Sequence, residues 1–419
     1  MEIIRSLTGL GVLVLFCYAI SENRKKIAWK TICYGLILQI SLALLLLKTP
    51  GSKEAFLLLN KSVFALEEAT QAGTSFVFGF LGGGPLPFQI TDPNAGTYIF
   101  AFRGLPLVLL ASALSSLLFF WRILPLVVTG FAWVLKRTMN VGGAEGLSAA
   151  ANIFLGMIEA PLFVKPYLSE MSRGELFSLM TTGMATIAGT VMVLYATFLK
   201  NVIPDAMGHL LIASIISAPA AITVSRLMVP LNDQAGVNEN AVMSAPVTAK
   251  SSMEAITNGT MEGVKLLINI IAMLITLVAI IKLVNIFFGI FPDISGQPLT
   301  LERLFGWILA PVAWIIGVPW SECTIAGSLL GTKVVLNELI AFLNMSQLPE
   351  NVLSPRSKII VTYALCGFAN FGSLGIMLGG LGGMAGDKRG EVVSLGLKSI
   401  LSGLVATLMT GTVVGCFYF

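Results

Sequence analysis

The sequence predicts an all-α polytopic membrane protein with two re-entrant hairpins and two broken helices among its spans. Three observations predict it. Of the 419 residues, 56% are apolar and 11% charged, and the mean hydropathy is +0.87, too little charge to cover a soluble domain of that size. Apolar stretches near or above the ~18 residues that cross a bilayer recur along the whole chain. Finally, residues 141–200 and 315–385 are apolar enough for the membrane yet are interrupted by glycine, proline, asparagine and carboxylates.

Ordinary spans are read at 6–21, 31–48, 99–121, 206–229, 264–291 and 389–417. The first apolar run, Leu7 to Ile20, lacks a basic n-region and a small-residue cleavage site, so it is expected to be a spanning helix rather than a secretory leader. Arg24, Lys25, Lys26 and Lys30 place the first loop in the cytoplasm, with the N-terminus outside. An even number of spans then returns the C-terminus to the outer side. Residues 50–97, with Gly82 to Gly84 and Pro85, Pro87 and Pro93, suit an interfacial helix and loop better than a span. Cys17, Cys33, Cys323, Cys366 and Cys416 show no paired metal spacing and are expected to be small buried residues. The single histidine, His209, follows Pro204 and Asp205 and is expected at an interface. A net charge of +4 is ordinary for a membrane protein with basic loops and gives no reason to expect nucleic acid.

In each of the two interrupted regions an apolar stretch enters, turns at a polar tip and returns, and a second apolar stretch with a polar break follows. The first reads GGAEGLSAAANIFLGMIEAPLF and then MTTGMATIAGTVMVLYA; the second reads GVPWSECTIAGSLLGTKVVLNELIAF and then VTYALCGFANFGSLGIMLGG. Two such modules in corresponding halves indicate an internal repeat with a site near the midplane, because irregular backbone survives at that depth only against protein or water. Asn152, Glu159, Glu322, Lys333, Asn337 and Glu338 all fall in these regions. A charge at membrane depth costs at least ~2.5 to 3.5 kcal/mol, so each is expected to be paired, hydrated or bound. Glu322 and Lys333 could satisfy each other on one hairpin. Glu159 and Glu338 have no adjacent basic partner and stand near a chain reversal, which favours a binding role. Two carboxylates could also serve glycosidic hydrolysis, but no triad is arranged and GGLGGMAG lacks the Lys-Ser/Thr of a phosphate loop. A channel would need a continuous polar lining, whereas here the polar residues form two patches.

The same stretches carry a family likeness. GAEGLSAAANIFLGMIEAPLFVKPYL resembles the first-hairpin signature of the concentrative nucleoside transporters, GVPWSECTIAGSLLGTKVVLNELIAF their second hairpin, and LCGFANFGSLGIMLGGLGGMAGDKR their broken seventh helix. The resemblance implies a homotrimer in the bacterial inner membrane, each protomer with about eight transmembrane helices, two re-entrant hairpins and an inverted-repeat transport domain beside a scaffold. In those terms 1–140 is largely scaffold, 141–200 and 301–385 form the transport domain, 201–300 connects them, and 386–419 is the last span. It also implies cation-coupled uptake of nucleosides, commonly with sodium and alternatively with protons.

By resemblance, Glu159, Glu338, Asn370 and Ser373 hold the ribose, and Phe368 is an aromatic neighbour of the substrate. Charge-assisted bonds from sugar hydroxyls to a carboxylate are about twice as strong as neutral ones. Sodium would be held by the side-chain oxygens of Asn152 and Thr186 and the backbone carbonyls of Leu155 and Ile187, an all-oxygen shell suited to a hard cation. The family's usual GQTEAP stands here as Gly156, Met157, Ile158, Glu159, Ala160, Pro161. Met157 with Thr190 and Val191 looks like the purine-preferring members, while Ile158 fits neither pattern.

Overall fold

The computed structural model of the protein describes residues 2–49, 51–89, 97–231, 249–294 and 296–418. Helices dominate them. The chain opens with α1 (Glu2–Ala19) and α2 (Trp29–Lys48), joined through a short turn in which the Asn23 side chain accepts from the Lys25 amide. The 27-residue α3 (Ser52–Phe78) carries Lys61, Glu67 and Glu68 and is not among the helices apolar enough to cross a membrane, in keeping with the helix expected there; part of the loop expected after it lies outside the described residues. Next come α4 (Phe100–Arg103) and α5 (Leu107–Phe120), which share one 21-residue apolar stretch, and α6 (Ile123–Met139), which starts after a left-handed Arg122. No span was expected over α6, whose 17 residues end in Lys136 and Arg137.

The two interrupted regions fold as paired modules. In the first, α7 (Gly143–Asn152) ends at a turn and α8 (Glu159–Leu162) follows, after which α9 (Arg173–Ala185) and α10 (Gly189–Leu199) form one apolar stretch broken at 186–188. Ser172 and Glu175 close the start of α9 with a reciprocal capping box. The connecting helices are α11 (Ala206–Met228), the 37-residue α12 (Ser252–Phe288) and α13 (Leu301–Ile315). In the second module α14 (Cys323–Val335) breaks at Leu336 and Asn337 before α15 (Glu338–Ser346), and α16 (Pro355–Leu365) is separated from α17 (Phe371–Met384) by 366–370. The last helix is α18 (Arg389–Gly415).

Burial decides the arrangement. Helices α9, α11, α16 and α18 are buried along most of their length, and α18 packs on the other three. The two helix breaks meet there: a Cβ at Gly367, in the second break, would lie 2.9 Å from the Met184 carbonyl oxygen at the end of α9 and 2.7 Å from a methyl of Thr407. Only hydrogen fits between the two backbones. The periphery is different. None of the apolar window of α12 is buried, and this helix meets α5 through Gly259 and Gly263, where a Cβ would stand 2.6 Å from the Ser112 carbonyl and 3.0 Å from the Leu109 Cα. That small-xxx-small spacing lets two membrane helices approach closely.

Two expectations need correction. Glu322 and Lys333 do not pair: Glu322 accepts from the amide and hydroxyl of Ser354 at 3.2 Å each, while Lys333 turns inward to the Ala364 carbonyl and Thr407. Each has partners of its own, two Ser354 donors for Glu322 and two neutral acceptors for Lys333, so neither needs the other. His209, in the first turn of α11, is 6% exposed, with its ring hydrogen-bonded to the Tyr363 hydroxyl at 3.0 Å and edge-on to Tyr418. Of the cysteines, Cys17, Cys323 and Cys366 are buried, but Cys33 is exposed and Cys416 half-buried.

Candidate functional site

Glu338 is the first residue of α15, one residue after Asn337, whose side chain caps that helix by accepting from the Ile340 amide at 2.9 Å. The positive end of the helix therefore lies at the carboxylate. Glu338 is 4% exposed, and both of its oxygens are held: Tyr195 donates its hydroxyl to Oε1 at 2.6 Å and Asn370 its amide to Oε2 at 2.9 Å. Asn370 works in two directions. Its Oδ1 accepts from the Ser373 amide at 2.7 Å, capping α17, which requires its NH2 to face the carboxylate. A carboxylate has about four lone-pair positions, so Glu338 can accept further bonds from a ligand hydroxyl while held in place.

The break before α17 is closed by tight turns, Gly367 N–H to Leu365 carbonyl at 2.9 Å and Asn370 N–H to Phe368 carbonyl at 2.8 Å. They leave Phe368 half-buried beside the Asn370 clamp, with Ser373 buried one turn into α17. Tyr195 escaped the sequence reading. It lies four residues after Val191 on α10, hence on the same helix face, and that spacing was the available signal.

In the first module Glu159 is exposed, and its Oε2 accepts from the Gly156 amide at 2.6 Å, while the Gly156 carbonyl accepts from Ala160 at 3.0 Å. This closes the tip. Met157 is buried, within van der Waals reach of Gly183 on α9, a glycine that Met377 of α17 also covers; Ile158 lies against Gly380 of α17. Both tip residues thus face apolar helix surface. Thr190 is half-buried and Val191 buried at the start of α10. The Gly189 amide donates to the Phe154 carbonyl at 2.8 Å, tying the first tip to α10. From Gly189 to Tyr195 is about 9 Å along a helix, so α10 carries the first hairpin at one end and the Glu338 clamp less than two turns on.

Asn152 ends α7. Its NH2 donates to the Ser148 carbonyl at 3.1 Å and Thr182 Oγ1 at 3.3 Å, but its Oδ1 is buried without a hydrogen-bond partner. Thr186 donates its hydroxyl to the Thr182 carbonyl at 2.8 Å, leaving oxygen lone pairs. Leu155 and Ile187 stand outside the helices, and among the described residues their carbonyls accept none of the backbone bonds that close the neighbouring turns. An orphaned amide oxygen, a hydroxyl and two carbonyls outside those backbone bonds are the kinds of donor that suit a hard monovalent cation. Among the described residues no cluster of three or more His, Cys, Asp or Glu could hold a metal by other means.

Three family models match along the chain: the Na+ dependent nucleoside transporter N-terminus over 8–81, a nucleoside recognition region over 101–202, and the Na+ dependent nucleoside transporter C-terminus over 209–415. The nucleoside permease NupC of Helicobacter pylori is 34% identical, with 98% of this chain and 97% of that protein covered. The chain belongs to the concentrative nucleoside transporter family. The sodium/nucleoside cotransporter 1 of Rattus norvegicus is 33% identical over 99% of this chain and 63% of its own length. The transporter CNTnw in an inward-facing substrate-bound state superposes with a TM-score of 0.89 at 32% identity, covering 100% of this chain and 98% of that one. This concentrative nucleoside transporter is therefore a multi-pass membrane carrier and not an enzyme, and its two broken modules hold the polar groups described above.

Proposed function

We propose that this transporter is a sodium-coupled symporter that accumulates nucleosides across a bacterial inner membrane, working as a homotrimer. Glu159, Glu338, Asn370 and Ser373 take the ribose hydroxyls, Phe368 lies along the substrate, and Asn152, Thr186, Leu155 and Ile187 take the ion. The modules α7–α10 and α14–α17 form the moving transport domain; the peripheral helices form the scaffold, and the bare face of α12 suits lipid and neighbouring copies. One monovalent cation descending 100 mV supplies ~2.3 kcal/mol, roughly fifty-fold accumulation before its own gradient is added.

The observation that carries the coupling is the buried, partnerless Asn152 Oδ1, since a buried acceptor with nothing to accept is costly unless a ligand meets it. Uptake of labelled nucleosides into proteoliposomes, with sodium and pH gradients imposed separately, tests it. Sodium alone should drive accumulation; accumulation driven by a pH gradient alone would reassign the coupling to protons.

The apolar tip residues Met157 and Ile158 favour purines. A pyrimidine relies on edge hydrogen bonds worth ~0.5 to 1.5 kcal/mol each, which these side chains cannot make, whereas a larger ring gains from the methionine thioether by ~0.3 to 1.5 kcal/mol. Adenosine, inosine and guanosine should displace labelled substrate better than uridine, and Met157→Gln with Ile158→Thr should shift preference toward uridine. Stronger displacement by uridine in the unsubstituted protein would sink the purine reading.

A further inference from the structure

Each re-entrant hairpin ends its first limb against the last turn of a broken helix, and the two meetings are chemically opposite. In the first, Asn152 at the end of α7 reaches Thr182 in the last turn of α9 and leaves a partnerless oxygen. In the second, Lys333 in the last turn of α14 reaches the last turn of α16. Its Nζ donates to the Ala364 carbonyl at 2.7 Å and to Thr407 Oγ1 of α18 at 2.8 Å, and the residue is 0% exposed. Neither acceptor is charged. The Ala364 carbonyl belongs to a helix end, where carbonyls lack intrahelical partners and the dipole is negative. Oxygen donors at a helix break are what a bare cation takes in a transporter, and here an ammonium has taken them. Glu338 lies within Coulombic reach of it, but its oxygens are held by Tyr195 and Asn370.

We propose that Lys333 is a tethered cation: its ammonium fills, in the second module, the place that the exchangeable ion takes in the first. The inference rests on reading Asn152 and its neighbours as the sodium site. The carboxylates Glu159 and Glu338 are then balanced by one mobile and one permanent charge. Glu145, the buried carboxylate of the first hairpin, is matched by its ion pair with Arg226. With the second place filled by Lys333, only the first module takes a mobile ion, one carried per nucleoside, and Glu338 keeps its counter-charge when the ion leaves.

Reversal potentials of nucleoside flux in proteoliposomes, at fixed sodium and nucleoside gradients, read the coupling ratio. The natural protein should move about one charge per nucleoside; a ratio near two overturns the proposal. Thermal unfolding against sodium, without nucleoside, gives a readout independent of transport. Lys333→Arg should keep the sodium curve. Lys333→Gln opens the second place, so sodium stabilisation should steepen from a Hill coefficient of about one toward about two, and nucleoside affinity at low sodium should fall roughly tenfold or more. A folded Lys333→Gln protein with an unaltered sodium curve and affinity overturns the proposal. Should that variant not fold, the coupling ratio of the natural protein still decides. Absence of nucleoside flux in the natural protein would instead defeat the symport reading, and the sodium titrations would continue to test Lys333.

Discussion

Glu338 shows how much one side chain can be asked to do. Held by a phenol and an amide and set at a helix N-terminus, it is aimed before any substrate arrives, so less ordering remains to be done on binding. Glu338→Gln should cripple transport while leaving the protein folded, at a cost of ~1.5 to 3 kcal/mol in nucleoside binding; wild-type uptake by the folded variant would remove Glu338 from the site. Tyr195→Phe keeps the ring against Phe342, 5.1 Å between centroids, and removes only the hydroxyl. Nucleoside affinity measured by calorimetry should fall about tenfold or more, since a hydrogen bond to a charged group is worth ~1.5 to 3 kcal/mol. At the ion site, Asn152→Ala should shift the sodium dependence of uptake to higher concentration more than it lowers the maximal rate. Most of these residues were legible as types in motifs, since carboxylates and asparagines inside apolar stretches stand out. Tyr195 was not, because a tyrosine in an apolar helix is ordinary until its hydroxyl is seen to face a carboxylate. The destination of Lys333 was equally hidden, as its acceptors come from α16 and α18, far along the chain.

At the level of helices, hydropathy located the long spans and the interruptions located both hairpins, because glycine, proline and polar residues at membrane depth leave a plain compositional mark. Close packing left a fainter one. Gly259 and Gly263 spell a GxxxG that seats α12 on α5, and Gly306 and Gly327 let α13 and α14 approach until a Cβ on Gly327 would stand 2.7 Å from the Gly306 carbonyl. Such contacts depend on the partner helix, which one sequence does not name. Gly367 is the sharpest case. Gly367→Ala forces a methyl against backbone at the crossing of the two breaks, and overpacking of this kind costs ~1 to 3 kcal/mol. Thermal unfolding in detergent should drop accordingly, and nucleoside uptake should fall with it; an alanine variant with the natural melting temperature would show that the crossing can spread.

Over the whole molecule, the first loop is tied to the core by charge. The Arg173 guanidinium, with Lys398 beside it, holds the Glu22 carboxyl down from its ordinary 4.5 to about 2. A depressed carboxyl contributes stability above its unfolded pKa and loses it as the pH falls through the folded one. The contribution is therefore complete at pH 7 and fades between about 4.5 and 2. Glu22→Gln should lower the melting temperature at pH 7 by an amount corresponding to ~1 kcal/mol or less, as suits a partly exposed cluster. Its curve should converge on that of the natural protein as the pH falls toward 2, and a constant offset across that range would show that the loss is not electrostatic.

The far end of α10 has a matching tie. Lys200 pairs with Glu67 of α3 at 3.1 Å, and Asn60 of the same helix donates to Asp205 at 2.8 Å. Arg173 and Lys200 bracket the single stretch α9–α10, so the central unit is moored at both ends, each mooring open to water. Ions in either aqueous compartment weaken only the charges they can reach. An impermeant electrolyte added to one side of a sealed vesicle should therefore loosen one mooring at a time, and the side whose added salt quickens turnover will be the side at which the slow step lets go.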